Sequence, residues 1–134
     1  MTASGGCECG AFRYEIDGAP KAVIVCHCTH CQRQSGSAFG MSMVLAANQF
    51  QLLHGALKSF SRQADSGSTI NCYFCPECGN RIYNQKTGGE SVVILKPGTL
   101  DNPKAITPSR QLWTSEKQNW IELSDLAAFE YQPG

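Results

Sequence analysis

The chain of 134 residues sets 11 Lys+Arg against 11 Asp+Glu and carries 8 cysteines. That length suits a single domain over 1–134, and 42% apolar with 16% charged residues excludes a disordered chain. Zero formal net charge argues against nucleic acid as the main partner, because affinity for phosphates is built from Lys and Arg.

No stretch approaches the roughly 20 apolar residues of a membrane-spanning helix. The opening MTASGGCECG holds no apolar signal core, so a cytoplasmic location is expected. Thiols in a reducing compartment are metal ligands more often than disulfides. Phe12, Tyr14 and Ile16 alternate with Arg13, Glu15 and Asp17, the period-2 pattern of a strand with one buried face. The β-branched run Ala22–Cys26 predicts a strand buried on both faces. Thr29–Ser35, ending at Gly36, predicts one short helical turn. Further strands are expected at Phe39–Leu45, Gln51–His54, Leu57–Ser61, Ser68–Phe74, Arg81–Tyr83 and Val92–Leu95. Gln63–Gly67 predicts a hairpin loop, and Lys96-Pro97-Gly98 a turn. Asn102-Pro103 and Thr107-Pro108 open a less regular stretch that leads to Trp113 and Trp120, expected to pack the last segment onto the sheet, with walling a pocket as the other reading. Leu123–Phe129 has helical spacing. The class is mostly β.

The cysteines fall into Cys7-Glu8-Cys9, Cys26-His27-Cys28-Thr29-His30-Cys31 and Cys75-Pro76-Glu77-Cys78-Gly79, with Cys72 apart. Cys75-x-x-Cys78-Gly79 is a zinc-knuckle spacing, in which a tight turn lets two thiolates face one ion. On an extended segment, Cys-x-Cys places both sulfurs on one side, able to lean to the ~3.7 Å edge of a tetrahedron with Zn–S bonds near 2.3 Å. Cys26, Cys28 and Cys31 can wrap one ion unaided. Cys7 with Cys9, and Cys75 with Cys78, are half-sites that join into a closed four-thiolate site. The triad is left with three thiolates, and an open coordination position is the mark of catalytic rather than structural zinc. Cys72 shares a strand face with Ile70 and Phe74, so it is read as core; an eighth ligand closing the second site is the other reading. His27 points to the opposite face from its two neighbours, His30 suits an outer or surface role, and His54 lacks ligand spacing.

These clusters stand within longer matching stretches: Gly5-Gly6-Cys7-x-Cys9-Gly10 with Phe12-Arg13-Tyr14, and Cys26-His27-Cys28-x-x-Cys31-Gln32 leading to Gly36-Ser37-Ala38-Phe39-Gly40. Phe74-Cys75-x-x-Cys78-Gly79, Gly98-Thr99-Leu100-Asp101-x-Pro103 and a tail with Trp113, Ser115, Lys117 and Trp120 follow. On these residues the chain resembles the glutathione-dependent formaldehyde-activating enzyme family, whose domain also occurs in centromere protein V. The resemblance implies a mostly β, tent-like arrangement of antiparallel sheets of the methionine sulfoxide reductase B type, stapled by zinc. It implies a structural ion on Cys7, Cys9, Cys75 and Cys78, and a second ion on Cys26, Cys28 and Cys31; with only three ligands, that second site is expected to be partly occupied. It also implies a carbon–sulfur lyase joining a glutathione-like thiol to formaldehyde or a related aldehyde, or cleaving the adduct. At Cys72 the family pattern suggests a non-cysteine, often basic, residue.

The expected catalytic group is the triad, its metal taking the substrate thiolate. Arg33, Ser35, Gly36 and Ser37 are the nearest candidates for the carboxylates of a glutathione-like thiol. The alternative is a zinc-stabilised thiol carrier or protein-binding module without chemistry.

Overall fold

In the computed structural model, which describes residues 2–133, the chain forms eleven strands and one α-helix. They are β1 (Thr2–Gly6), β2 (Arg13–Asp17), β3 (Ala22–Cys26), α1 (Thr29–Ser35), β4 (Gly40–Ala46), β5 (Phe50–His54), β6 (Lys58–Gln63), β7 (Thr69–Phe74), β8 (Arg81–Lys86), β9 (Val92–Leu95), β10 (Arg110–Leu112) and β11 (Ala127–Ala128). A three-stranded sheet runs β1-β2-β5, and an eight-stranded sheet runs β11-β10-β3-β4-β9-β8-β7-β6. Every pairing is antiparallel except at the edge, where β10 runs parallel to both β3 and β11.

Alternation decides which residues fill the space between the sheets. Tyr14 and Ile16 of β2, with the preceding Phe12, meet Val23, Met43, Leu45, Ile82 and Leu95 of the larger sheet in one buried cluster. The expectation of a doubly buried β3 is corrected. Val23 and Val25 are buried while Ala22, Ile24 and Cys26 are half-exposed, so β3 has one core face and one face turned toward the cysteine triad.

Two further expectations need correction. Leu123–Phe129 is no helix: it makes a turn, closed by the Leu126 N–H on the Leu123 carbonyl, and then strand β11. A segment so short cannot repay helix nucleation, and pairing with β10 offers its backbone partners instead. Trp120 does not pack the tail onto the sheet. It is 72% exposed, its Nε1 donating to Gln118 Oε1 at 2.8 Å. Trp113 packs edge-on against Tyr131.

The segment after β9 is tied to the core through Tyr14. Thr99 spends its hydroxyl proton on the Lys96 carbonyl at 2.7 Å, so the fully buried Tyr14 hydroxyl donates to Thr99 Oγ1, also at 2.7 Å. Arg13 adds an ion pair with Asp101, one Nη1–Oδ1 bond being 2.9 Å. Burial pushes the Tyr14 phenol up to about 12. Tyr14 therefore contributes stability that is whole below the unfolded value near 10 and lost as pH rises toward 12. We expect Tyr14→Phe to cost about 1 kcal/mol at neutral pH and to flatten that alkaline loss; denaturant melts at pH 8 and 11 read both.

Candidate metal centres

The first cluster joins two turns distant in sequence. Cys7-Glu8-Cys9-Gly10 is a turn rather than the extended segment expected: the Gly10 N–H meets the Cys7 carbonyl at 3.1 Å, and Gly10 has φ 80°. Its partner is the knuckle of Cys75-Pro76-Glu77-Cys78-Gly79, closed by the Gly79 N–H on the Cys75 carbonyl at 2.8 Å, with Gly79 at φ 77°. That left-handed conformation is open to glycine at little cost. The sulfurs of Cys7, Cys9, Cys75 and Cys78 all lie within 4.8 Å of one another; Cys7–Cys9 is 3.5 Å and Cys9–Cys75 is 3.7 Å. These distances fit the ~3.7 Å sulfur–sulfur edge of a tetrahedral zinc thiolate centre.

The second cluster is local. Cys26 ends β3, Cys28 caps the N-terminus of α1 in an extended conformation, and Cys31 sits in the helix's first turn, with their sulfurs within 4.8 Å of one another. Among the described residues no fourth Cys, His, Asp or Glu joins them. Cys72 stands apart: it is fully buried on β7, and β4, β9 and β8 lie between its strand and β3. Cys31 packs on Gly40, the residue paired with Cys26. His27 points away, as alternation expects, its Nε2 donating to Gln111 Oε1 at 2.9 Å. His30 lies 3.8 Å from Asp65 at the surface.

Backbone N–H groups are aimed at sulfur in both clusters, from Phe12 to Cys7 and from Cys31 to Cys28, each at 3.3 Å. Burial raises the Cys7 thiol, but the Phe12 N–H and the neighbouring sulfurs outweigh this and bring it down to about 6. In the triad, the Cys26 and Cys31 thiols hold Cys28 far down, while Cys28 and Cys31 push Cys26 up. Crowded sulfurs share protons in this way, and a cation that replaces those protons lets all of them be thiolates. Both donor sets fit zinc.

The C-terminal segment braces the triad helix. Glu116 Oε1 accepts from the Thr29 N–H at 2.8 Å, and Gln32 Nε2 donates to the carbonyls of His27 and Glu116. Beside the triad lies a cleft of about 710 Å³ bordered by Cys7, Gln34, Ser35, Gly40, Arg81 and Lys96. Of the substrate contacts expected from sequence, Ser35 borders this cleft, while Arg33, Gly36 and Ser37 line a second groove with Trp120. Arg81 and Lys96 were not singled out from sequence. Neither sits in a motif, and only the strand register brings them to the cleft.

A β scaffold with one four-cysteine and one three-cysteine cluster, each able to hold a metal ion, defines a class of β proteins, and the comparisons narrow it. The family model for glutathione-dependent formaldehyde-activating enzyme matches residues 2–116. The chain belongs to that family. A relative from Halomonas elongata, named "Putative glutathione-dependent formaldehyde-activating enzyme", is 24% identical over 129 residues, spanning 92% of this chain and 82% of the relative. A crystal structure of a Rhodobacter sphaeroides protein shares the fold at a TM-score of 0.56 and 15% identity, over 94% of this chain and 98% of that one. No helix among the described residues is long and apolar enough to cross a membrane.

A Cβ added at Gly40 would meet Cys31 Cβ at 3.0 Å. Gly40→Ala is expected to displace Cys31 and weaken metal binding at the triad about 10-fold, leaving the four-cysteine centre loaded. Metal-to-protein stoichiometry under chelator competition measures this.

Proposed function

We propose that the chain is a zinc-dependent carbon–sulfur lyase that joins a glutathione-like thiol to formaldehyde or a related aldehyde and cleaves the same adduct. The observation that carries this reading is the unequal partition of sulfurs: four cluster in one centre, while three gather without a fourth ligand among the described residues, Cys31 packing on the cleft-lining Gly40. The family match and the name of the Halomonas elongata relative support the same substrate pair.

In this reading Cys7, Cys9, Cys75 and Cys78 hold a structural zinc, and Cys26, Cys28 and Cys31 hold the catalytic one. The zinc supplies Lewis acidity that keeps an incoming thiol deprotonated at neutral pH. Ionisation alone gains little: a thiol of pKa about 8.5 is already roughly 3% thiolate at pH 7, so full ionisation gives at most ~30-fold. A thiolate made less basic is also a weaker nucleophile. The remaining acceleration has to come from holding thiol and carbonyl together, and the cleft walls perform that task. Ser35 borders the cleft directly. Arg33, Gly36 and Ser37 remain contacts for a substrate long enough to reach around α1 into the neighbouring groove.

The chemistry conserves atoms without a redox partner. The thiol sulfur bonds to the aldehyde carbon, the carbonyl π pair moves to oxygen, and the thiol proton ends on that oxygen. Cleavage is the reverse.

Cys28→Ser tests the reading. Its melting temperature is expected to stay close to that of the unaltered chain, because the four-cysteine centre is untouched. Acceleration of S-hydroxymethylglutathione formation above the uncatalysed rate is expected to vanish, as followed by NMR exchange between formaldehyde and glutathione. A folded Cys28→Ser chain with undiminished rate removes the triad from the chemistry, and an unaltered chain with no acceleration makes the domain a carrier or docking module instead.

A further inference from the structure

The register of β8 breaks once, next to the cleft. Tyr73 pairs with Tyr83 but the following Phe74 pairs with Arg81, so Ile82 is an extra residue on β8. A bulge of this kind re-aims the side chains that precede it. Ile82 and Tyr83 both turn toward the core side, and Arg81 is thrown onto the opposite face, which carries Phe60, Cys72 and Asn84. The contacts agree: Arg81 Nη2 donates to Asn84 Oδ1 at 2.8 Å, and its guanidinium lies 5.0 Å from the centre of the Phe60 ring.

Lys96 reaches the same face by simple alternation. Leu95 pairs with Met43 and Tyr83 and is fully buried in the core, so the next side chain turns away from it. Cys26 and its partner Gly40 lie on that side too, since Val25 is buried on the core side. One face at one end of the sheet thus gathers the triad, Lys96 and Arg81, and both cations border the 710 Å³ cleft.

Neither cation has a carboxylate. The ion pairs among the described residues are Arg13 with Asp101 and His30 with Asp65, and Arg81 Nε is buried without a hydrogen-bond partner. The acidic groups bordering the cleft are Asp101, held by Arg13, and Glu8 beside the four-cysteine centre. Burial lowers both Arg81 and Lys96, and the nearby sulfurs of Cys31 and Cys72 oppose the shift in both. Two half-buried cations that have no carboxylate partner, on the same sheet face as the triad, are poised for an anion.

We infer that Arg81 and Lys96 form the subsite that takes a carboxylate of the thiol substrate. This deepens the lyase reading and rests on it for the identity of the reacting group. Arg81 is held for the task by Asn84 and Phe60, leaving guanidinium donors for a carboxylate oxygen, while Lys96 adds a mobile ammonium.

Binding of S-methylglutathione tests the subsite apart from the chemistry, because its blocked sulfur cannot react. By calorimetry, Arg81→Ala and Lys96→Ala are each expected to weaken binding at least about 10-fold, with Arg81→Lys and Lys96→Arg keeping part of it. The dimethyl ester of the same ligand should bind the unaltered chain correspondingly more weakly. In kinetics, KM for glutathione should rise in the alanine variants far more than KM for 2-mercaptoethanol, which carries no carboxylate. If Arg81→Ala does not fold, Lys96→Ala decides alone. Equal binding of acid and ester, folded alanine variants that bind S-methylglutathione like the unaltered chain, or no binding to that chain at all, overturns the subsite. Charge-dependent binding in a protein without acceleration sinks the lyase reading and leaves the subsite standing. Loss of rate in Cys28→Ser with normal ligand binding in Arg81→Ala does the reverse.

Discussion

Sulfur crowding is the constraint around which this molecule is built. Thiolates held within 4.8 Å of one another repel, and in a medium of low dielectric that repulsion is large unless a cation sits among them. The four-cysteine centre uses this demand as a staple. It brings the turn after β1 against the turn between β7 and β8, which lie 66 residues apart at the Cys9–Cys75 contact. The two sheets meet at that point, where a metal ion would join them by coordination, and the core of Phe12, Tyr14, Ile82 and Leu95 packs beside it. In small zinc-stapled domains metal binding of this kind contributes folding free energy on the order of 10 kcal/mol or more.

The triad answers the same demand differently. Its three sulfurs come from one short stretch, so the cluster fastens only a strand end to a helix cap and contributes little to the global fold. Stability is supplied elsewhere, by the four-cysteine centre and by the C-terminal segment whose Glu116 and Gln111 brace α1 and His27. A centre relieved of structural duty can keep an exposed side. In the proposed function that side receives the thiol, and the cleft walls set what else the substrate must carry.

Much of this was legible along the chain. Strand alternation identified Phe12, Tyr14 and Ile16 as core, the spacing around Gly79 identified the knuckle, and Gly36 marked the end of the helix. The failures share a cause. The helical spacing at Leu123–Phe129, the doubly buried β3 and the packing role of Trp120 were all inferred from local pattern where long-range pairing decides. β11 exists because β10 offers it hydrogen bonds, and β10 itself pairs with a strand more than eighty residues earlier (Arg110 with Ile24). The extended reading of Cys7–Cys9 failed on a glycine whose left-handed backbone makes the turn.

The sequence by itself determined the donor chemistry and its partition, because ligand type and spacing are local properties: two residues between cysteines make a knuckle wherever they occur. It determined the β class through period-2 alternation for the same reason. What only the tertiary structure decided is what surrounds the triad. Whether Cys72 stands beyond three intervening strands or beside the triad is a matter of sheet order. Whether Arg81 faces core or cleft turns on a single extra residue at Ile82. Side chains on a strand change face with each one-residue slip, and a slip is set by the partner strand, which no local pattern in β8 records.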